Sequence, residues 1–365
     1  MSEQRVAWVD ALRGMGIVSV MLCHNQIEPA PFKFLKLILV PVFFFASGLV
    51  FNPGKYDSYR AFVRRRFRAL IVPYLFYSGV AWVFWLLVGL WSNFHLHTPQ
   101  PAIGLTLAMA LIGVPYGIAP LMPYNIPLWF LTCLFSADSV LFLLQRRVKT
   151  PGKLLFWMAA LSVVGFLYGA NPRDLRLPWN FDTALSVVFY YGAGYLFRRR
   201  FGLSLTWPWW GKLPIAAAFL ALSVYLSTFN PQTYLFLNQL GSWPWFHATS
   251  LTCIVAFVLI AQLIAPTRLF SYLGRNSLPL LGLHVMGIVV FRTIVGAATP
   301  IAFDQNVATT MWSSYWTAGA ILVVMPFIEI MNKHAPWTVG RPKPKTPAGP
   351  PAAATGGDAD PSGAV

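Results

Sequence analysis

Charge is what this chain has least of. Only 10% of its 365 residues are Asp, Glu, Lys or Arg, and acidic side chains number 11 against 27 basic ones. A surface so poor in charge, on a chain that is 57% hydrophobic, excludes an ordinary soluble domain and places the protein among polytopic membrane proteins. Cysteine is also scarce. Cys23, Cys133 and Cys253 are odd in number and all fall in apolar stretches, which excludes a disulfide framework. Phosphate-binding loops, dinucleotide fingerprints, HExxH and the GxSxG nucleophile elbow are missing, and the chemistries they carry go with them. His95 and His97 have no third ligand nearby, so no metal is expected. No internal repeat marks a second unit.

Long apolar runs are what the chain has in abundance. Ten stretches are long enough to cross a hydrocarbon layer of about 30 Å as helices. They cover residues 6–26, 34–51, 67–91, 126–145, 154–170, 183–197, 213–229, 248–265, 277–295 and 311–331. The run 103–118 is broken by Gly113, Pro115 and Gly117 and reads as a re-entrant or interfacial segment. With ten spans and a cytoplasmic N-terminus, 21 of the 27 Lys and Arg residues fall inside and five outside, leaving Arg13 in the membrane. That excess is the positive-inside signal, and an eleventh span would spoil it. The expected architecture is an all-α bundle of about ten transmembrane helices with both termini cytoplasmic, in a bacterial-type inner membrane.

The formal charge of +16 then belongs mostly to cytoplasmic loops facing anionic lipid or an anionic cosubstrate, and nucleic acid is not needed to explain it. The first span holds Asp10 and Arg13 and is followed at once by a second, so it is expected to stay attached rather than act as a cleaved signal. One transmembrane domain, residues 1–335, is expected, with a Pro/Ala/Gly-rich tail over 341–365 that has little to bury and reads as disordered.

Ionisable groups at membrane depth are costly and default to a functional reading. Arg13 and His24 lie eleven helical steps apart, about 20° beyond three full turns, so they share one helix face about 16 Å apart. Arg13 also sits one turn from Asp10, where a local ion pair would explain both. His24, beside Asn25, either accepts a proton near neutral pH or satisfies a backbone carbonyl. Asp138 and His284 are the deepest other candidates for lining a polar cavity, with Asp10 and Asn25 as further ones. Asp182 and Glu329 lie near span ends. In the basic run Arg64 to Arg68, Arg65 and Arg68 stand one helical turn apart, spaced to offer two guanidinium forks to phosphate. The same run also reads as a topogenic anchor.

The opening WVDALRGMGIVSVMLCHN, PVFFFASGLVF, RRRFRALIVPYLFYS, IPLWFLTCLF and YLGRNSLPLLGLHV resemble, in that order, the membrane-bound acyltransferase family 3, nearest its fucose 4-O-acetylase-like branch. The resemblance implies O-acyl transfer from acetyl-CoA. Carried over, it implies roles for Arg13 and His24 in catalysis and for Arg65 and Arg68 toward the CoA. His24 is then a general base or a transient acyl carrier. Its depth near the outer end suggests an envelope polysaccharide or glycolipid as the sugar acceptor, with Trp243, Trp245 and Phe246 as stacking surfaces or plain interfacial anchors. Partners are therefore acyl-CoA, a sugar and membrane lipid; the donor's acyl group, acetyl or succinyl, and the oligomeric state stay open. The rival is a transporter or flippase using Arg13, His24, Asp138 and His284 as a polar pathway.

Overall fold

The computed structural model describes residues 6–25, 29–96, 110–171, 176–203, 207–230, 233–298 and 309–341. Among these, all regular structure is helical; one isolated bridge, Tyr234 to Gln239, stands outside it and there is no strand. Helices α1 (Ala7–His24) and α2 (Pro29–Val50) are followed by α3 (Tyr59–Arg66), a π-helical stretch (Phe67–Ile71) and α4 (Val72–Leu96). A short α5 covers 110–116. Then come α6 (Trp129–Arg147), α7 (Pro151–Ala170), α8 (Phe181–Phe201), α9 (Trp209–Ser227) and α10 (Trp243–Ile264). The short α11 (Arg268–Arg275), α12 (Ser277–Ala298) and α13 (Thr310–His334) complete the set.

Among the described residues, seven helical stretches are long and apolar enough to span a membrane: Tyr59–Val88, Ile126–Arg147, Pro151–Ala170, Trp209–Ser227, Trp243–Ile264, Ser277–Ala298 and Thr310–His334. They coincide with seven of the ten expected spans. Helices α1, α2 and α8 occupy the other three positions; α2 offers a shorter apolar stretch, Phe34–Val50, and α1 and α8 carry buried Asp10 and Asp182. Of the expected re-entrant segment only 110–118 is described, helical over 110–116. His97, residues 103–109 and the tail beyond Arg341 lie outside the described residues.

Helix ends follow local chemistry. Ser58 caps α3 by accepting from the Ala61 N–H at 3.2 Å, and Thr309 caps α13 in the same way through Trp312. Gly202, at φ 70°, ends α8 where only glycine is unstrained. Pro73 cannot donate to the turn before it and its ring crowds the carbonyl four residues back, and the π-helical stretch beginning at Phe67 absorbs that conflict.

Hydrogen bonds define two ends. At the basic end the Trp8 indole donates to Leu203 O, Arg198 to Leu49 O, Arg146 to Asp57 O and Arg341 to Arg275 O. At the far end Asn25 and Arg292 tie α1, α12 and α13 together. Helix α1 packs against α2, α10, α11, α12 and α13 and so runs through the middle of this assembly.

Two glycine pairs let backbones touch. A Cβ on Gly48 would lie 2.0 Å from Tyr191 O, and one on Gly194 2.1 Å from Phe45 O, so α2 and α8 approach as closely as small residues allow. Gly14 and Gly274 do the same for α1 and α11. Gly48→Leu is therefore expected to destroy the monodisperse folded peak in detergent size-exclusion chromatography. Gly152→Leu, where an added Cβ meets nothing within 4 Å, should leave that peak unchanged.

Candidate active site

A cavity of about 700 Å³ runs between the two ends. Its wall is largely apolar, from Ile17 and Val20 of α1 through Leu39 and Phe43 of α2 to Leu134 of α6 and Leu281 of α12. Polar groups enter at three levels: Arg66, Arg275 and Arg341 toward the basic end, Arg13 between, and His24 and Lys36 toward the far end. This combination of apolar walls and a few convergent polar groups is the usual form of a small-molecule site.

Arg13 and His24 line the same wall, both from α1. Arg13 is half-buried, and its Nη2 lies 3.4 Å from Ala46 O. The ring of His24 is exposed, open to the cavity. Its Nδ1 stands 2.8 Å from Val20 O. A carbonyl oxygen only accepts, so Nδ1 carries the proton and the lone pair is on Nε2. A base with its free lone pair in an apolar cavity can take a proton from a bound hydroxyl.

The other expected site residues sit elsewhere. Asp10, Asn25, Asp138 and His284 are buried and do not line the cavity. The Asn25 Nδ2 donates to Thr317 Oγ1 at 3.0 Å, and the Asn25 main-chain carbonyl accepts from Ser313 Oγ, so this residue fastens α1 to α13. Asp138 is fully buried, ion-paired with Arg66 and hydrogen-bonded by the Tyr191 hydroxyl. His284 is fully buried, and its ring meets that of His24 with centroids 4.9 Å apart.

Arg65 and Arg68 are exposed and do not line the cavity; Arg66, between them, does. Their expected pairing on one face assumed an α-helical turn, and the π-helical stretch begins at Phe67, inside that interval. Arg65 and Arg66 both end the α-helical α3, about 100° apart around it, and there Arg65 lies over the Tyr56 ring at 5.9 Å while Arg66 turns inward to Asp138. Of the aromatics read as stacking surfaces or interfacial anchors, Trp243 packs on His247, Trp245 stacks on Phe229, and Phe246 is buried. None of the three lines the cavity.

Sequence reasoning passed over His247. It is buried, with Nε2 2.9 Å from Ser162 Oγ and Nδ1 2.7 Å from the Tyr190 hydroxyl. Both partners arrive from other helices, and the site is a satisfied core network away from the cavity. Asp182 is likewise structural, held by Arg176 at 2.5 Å, which also donates to Phe236 O. Glu329 accepts from Tyr272 at 2.5 Å; burial first, and then this carboxylate, push the Tyr272 phenol up to about 12. Among the described residues no group of three or more His, Cys, Asp or Glu side chains is placed to hold a metal ion.

A family model described as an acyltransferase domain matches residues 6–339. No curated protein and no solved structure matches the chain.

Proposed function

The chain belongs to this acyltransferase family, and we propose that it is a membrane O-acyltransferase moving an acetyl group from acetyl-CoA to a sugar hydroxyl of an envelope polysaccharide or glycolipid. The observation that carries the reading is the free Nε2 of His24 on the wall of a cavity whose opposite end is lined by arginines. In this reading α1, α2 and α8 join the seven apolar helices as a ten-span bundle, its basic end cytoplasmic by the positive-inside rule.

Acetyl-CoA enters at the basic end. Exposed Arg65 and Arg68 draw the polyanion, and Arg275 and Arg341 on the wall hold its phosphates. The acyl-bearing arm extends along the apolar wall toward His24, passing Arg13. His24 Nε2 removes the proton of the acceptor hydroxyl as its oxygen attacks the thioester carbonyl carbon. Arg13 offers guanidinium N–H groups to the charge that develops on the carbonyl oxygen. The C–S bond breaks, the proton passes from His24 to the departing thiolate, and an ester and free CoA result.

The test is turnover by the purified protein in nanodiscs, with acetyl-CoA and envelope glycan extract. Thiol release that requires both substrates, with acetyl ester found on the glycan, supports the reading. No release across several acyl donors and acceptors from folded protein would overturn it. Phosphate recognition has its own consequence. Arg275→Gln and Arg341→Gln should each raise KM for acetyl-CoA about tenfold, a loss of about 1.4 kcal/mol per charged contact, while KM for acetyl-pantetheine, which lacks the phosphates, stays put.

A further inference from the structure

Two imidazoles, one on the cavity wall and one buried beneath it, meet with ring centroids 4.9 Å apart. His284 is fully buried on α12, and its Nδ1 lies 2.9 Å from Leu281 O and 3.1 Å from Leu280 O. Both neighbours are carbonyl oxygens, so Nδ1 bears the proton and Nε2 presents a lone pair. That Nε2 is 3.4 Å from His24 Nδ1, the nitrogen already committed as donor by Val20 O at 2.8 Å. The proton pattern is thus determined from the α12 backbone outward. The Leu280 and Leu281 carbonyls fix His284, His284 and Val20 fix the Nδ1–H of His24, and the only lone pair left over is His24 Nε2, in the cavity.

We propose that His284 is a positioning residue for acyl transfer: its Nε2 accepts the His24 Nδ1–H, holds the tautomer whose Nε2 is the base, and faces the positive ring that forms when Nε2 takes the acceptor's proton. This rests on the reading of His24 as the base. No proton moves to His284. The hydroxyl proton goes to His24 Nε2 and from there to the thiolate released by C–S cleavage, while the Nδ1–H stays where it is and shortens its bond to a second acceptor as charge appears. A neutral imidazole here plays the part a carboxylate plays in a hydrolase triad, orienting the base without titrating. A buried carboxylate in this apolar setting would need its own desolvation offset; an imidazole pinned by two carbonyls does not.

The alternative is that His284 merely fills space beneath α1. A structural role lowers stability and the fraction of active protein, whereas a positioning role lowers kcat in protein that stays folded. His284→Leu, which removes the acceptor, should lower kcat about 10²-fold with KM for acetyl-CoA unchanged and the thermal unfolding midpoint little moved. His284→Gln, whose amide can both donate to the α12 carbonyls and accept from Nδ1, should recover about tenfold of that loss. Independently of turnover, ¹⁵N-imidazole NMR of the wild-type protein, with the signal assigned through His24→Ala, should show His24 protonated at Nδ1 and bare at Nε2.

Full kcat in His284→Leu, equal loss in the Leu and Gln variants, or a wild-type signal protonated at Nε2 would each overturn the proposal. A His24→Ala protein as active as wild type would instead overturn the reading of His24 itself, and the proposal with it.

Discussion

His24→Ala is expected to lower acyl transfer by about 10²- to 10⁴-fold, the range over which a positioned general base contributes, with little change in the unfolding midpoint. The argument is geometric. The ring is exposed into the cavity, so its loss removes few packing contacts. What disappears is the only imidazole lone pair that the described residues place on the wall. The hydroxyl acceptor would then have to attack without surrendering its proton to a base, and the thiolate would leave without a donor. Addition of free imidazole should restore part of the rate in His24→Ala, because the space vacated opens onto the cavity, and should do nothing for wild type. Loss of activity together with loss of the folded peak would contradict the assignment of His24 to chemistry.

The second large effect concerns stability. Arg66→Leu leaves Asp138, fully buried, without its counter-ion, and removing one partner of such a pair costs about 3–5 kcal/mol. Asp138→Leu alone strands the Arg66 guanidinium and the Tyr191 hydroxyl, and should be similarly damaging. The double variant Arg66→Leu with Asp138→Leu should recover most of the loss, since two apolar side chains replace two charges that needed each other, leaving the Tyr191 hydroxyl as the remaining deficit. Unfolding midpoints in detergent for the two single variants and the double variant check this. Strict additivity would mean that the pair is not the source of the effect.

These two sites mark the boundary of what the sequence discloses. The relation between Arg13 and His24 depends only on the period of one helix, a local property readable at a distance of eleven residues, and both line one wall. Seven spans were legible for the same reason, since length and hydropathy are local. Asp138 announced itself as a buried charge, but its partner did not. Arg66 is singled out from a run of four arginines by Asp138, 72 residues away in sequence, whereas spacing along the run alone points to Arg65 and Arg68. His284 was visible as an ionisable group inside a span, yet its contact with His24 joins residues 260 apart in sequence. His247 shows the converse: its partners Ser162 and Tyr190 lie 85 and 57 positions away, and no pattern around residue 247 points to them. Non-local pairing of helices is set by close glycine contacts such as Gly48 with Tyr191 O, which composition does not rank above any other small residue in a span.

The central claim is that one cavity takes an acyl donor at its basic end and delivers the acyl group to a hydroxyl near His24. Proteoliposomes test it most directly when the protein's orientation has been determined by protease protection, acetyl-CoA is supplied only to the basic face, and glycan acceptor is enclosed on the other. The account predicts acetyl ester on the enclosed glycan, free thiol on the donor side only, and neither product with His24→Ala. Sealed vesicles that move donor or acceptor across without forming ester, or that form ester only when both substrates share the basic face, would contradict it.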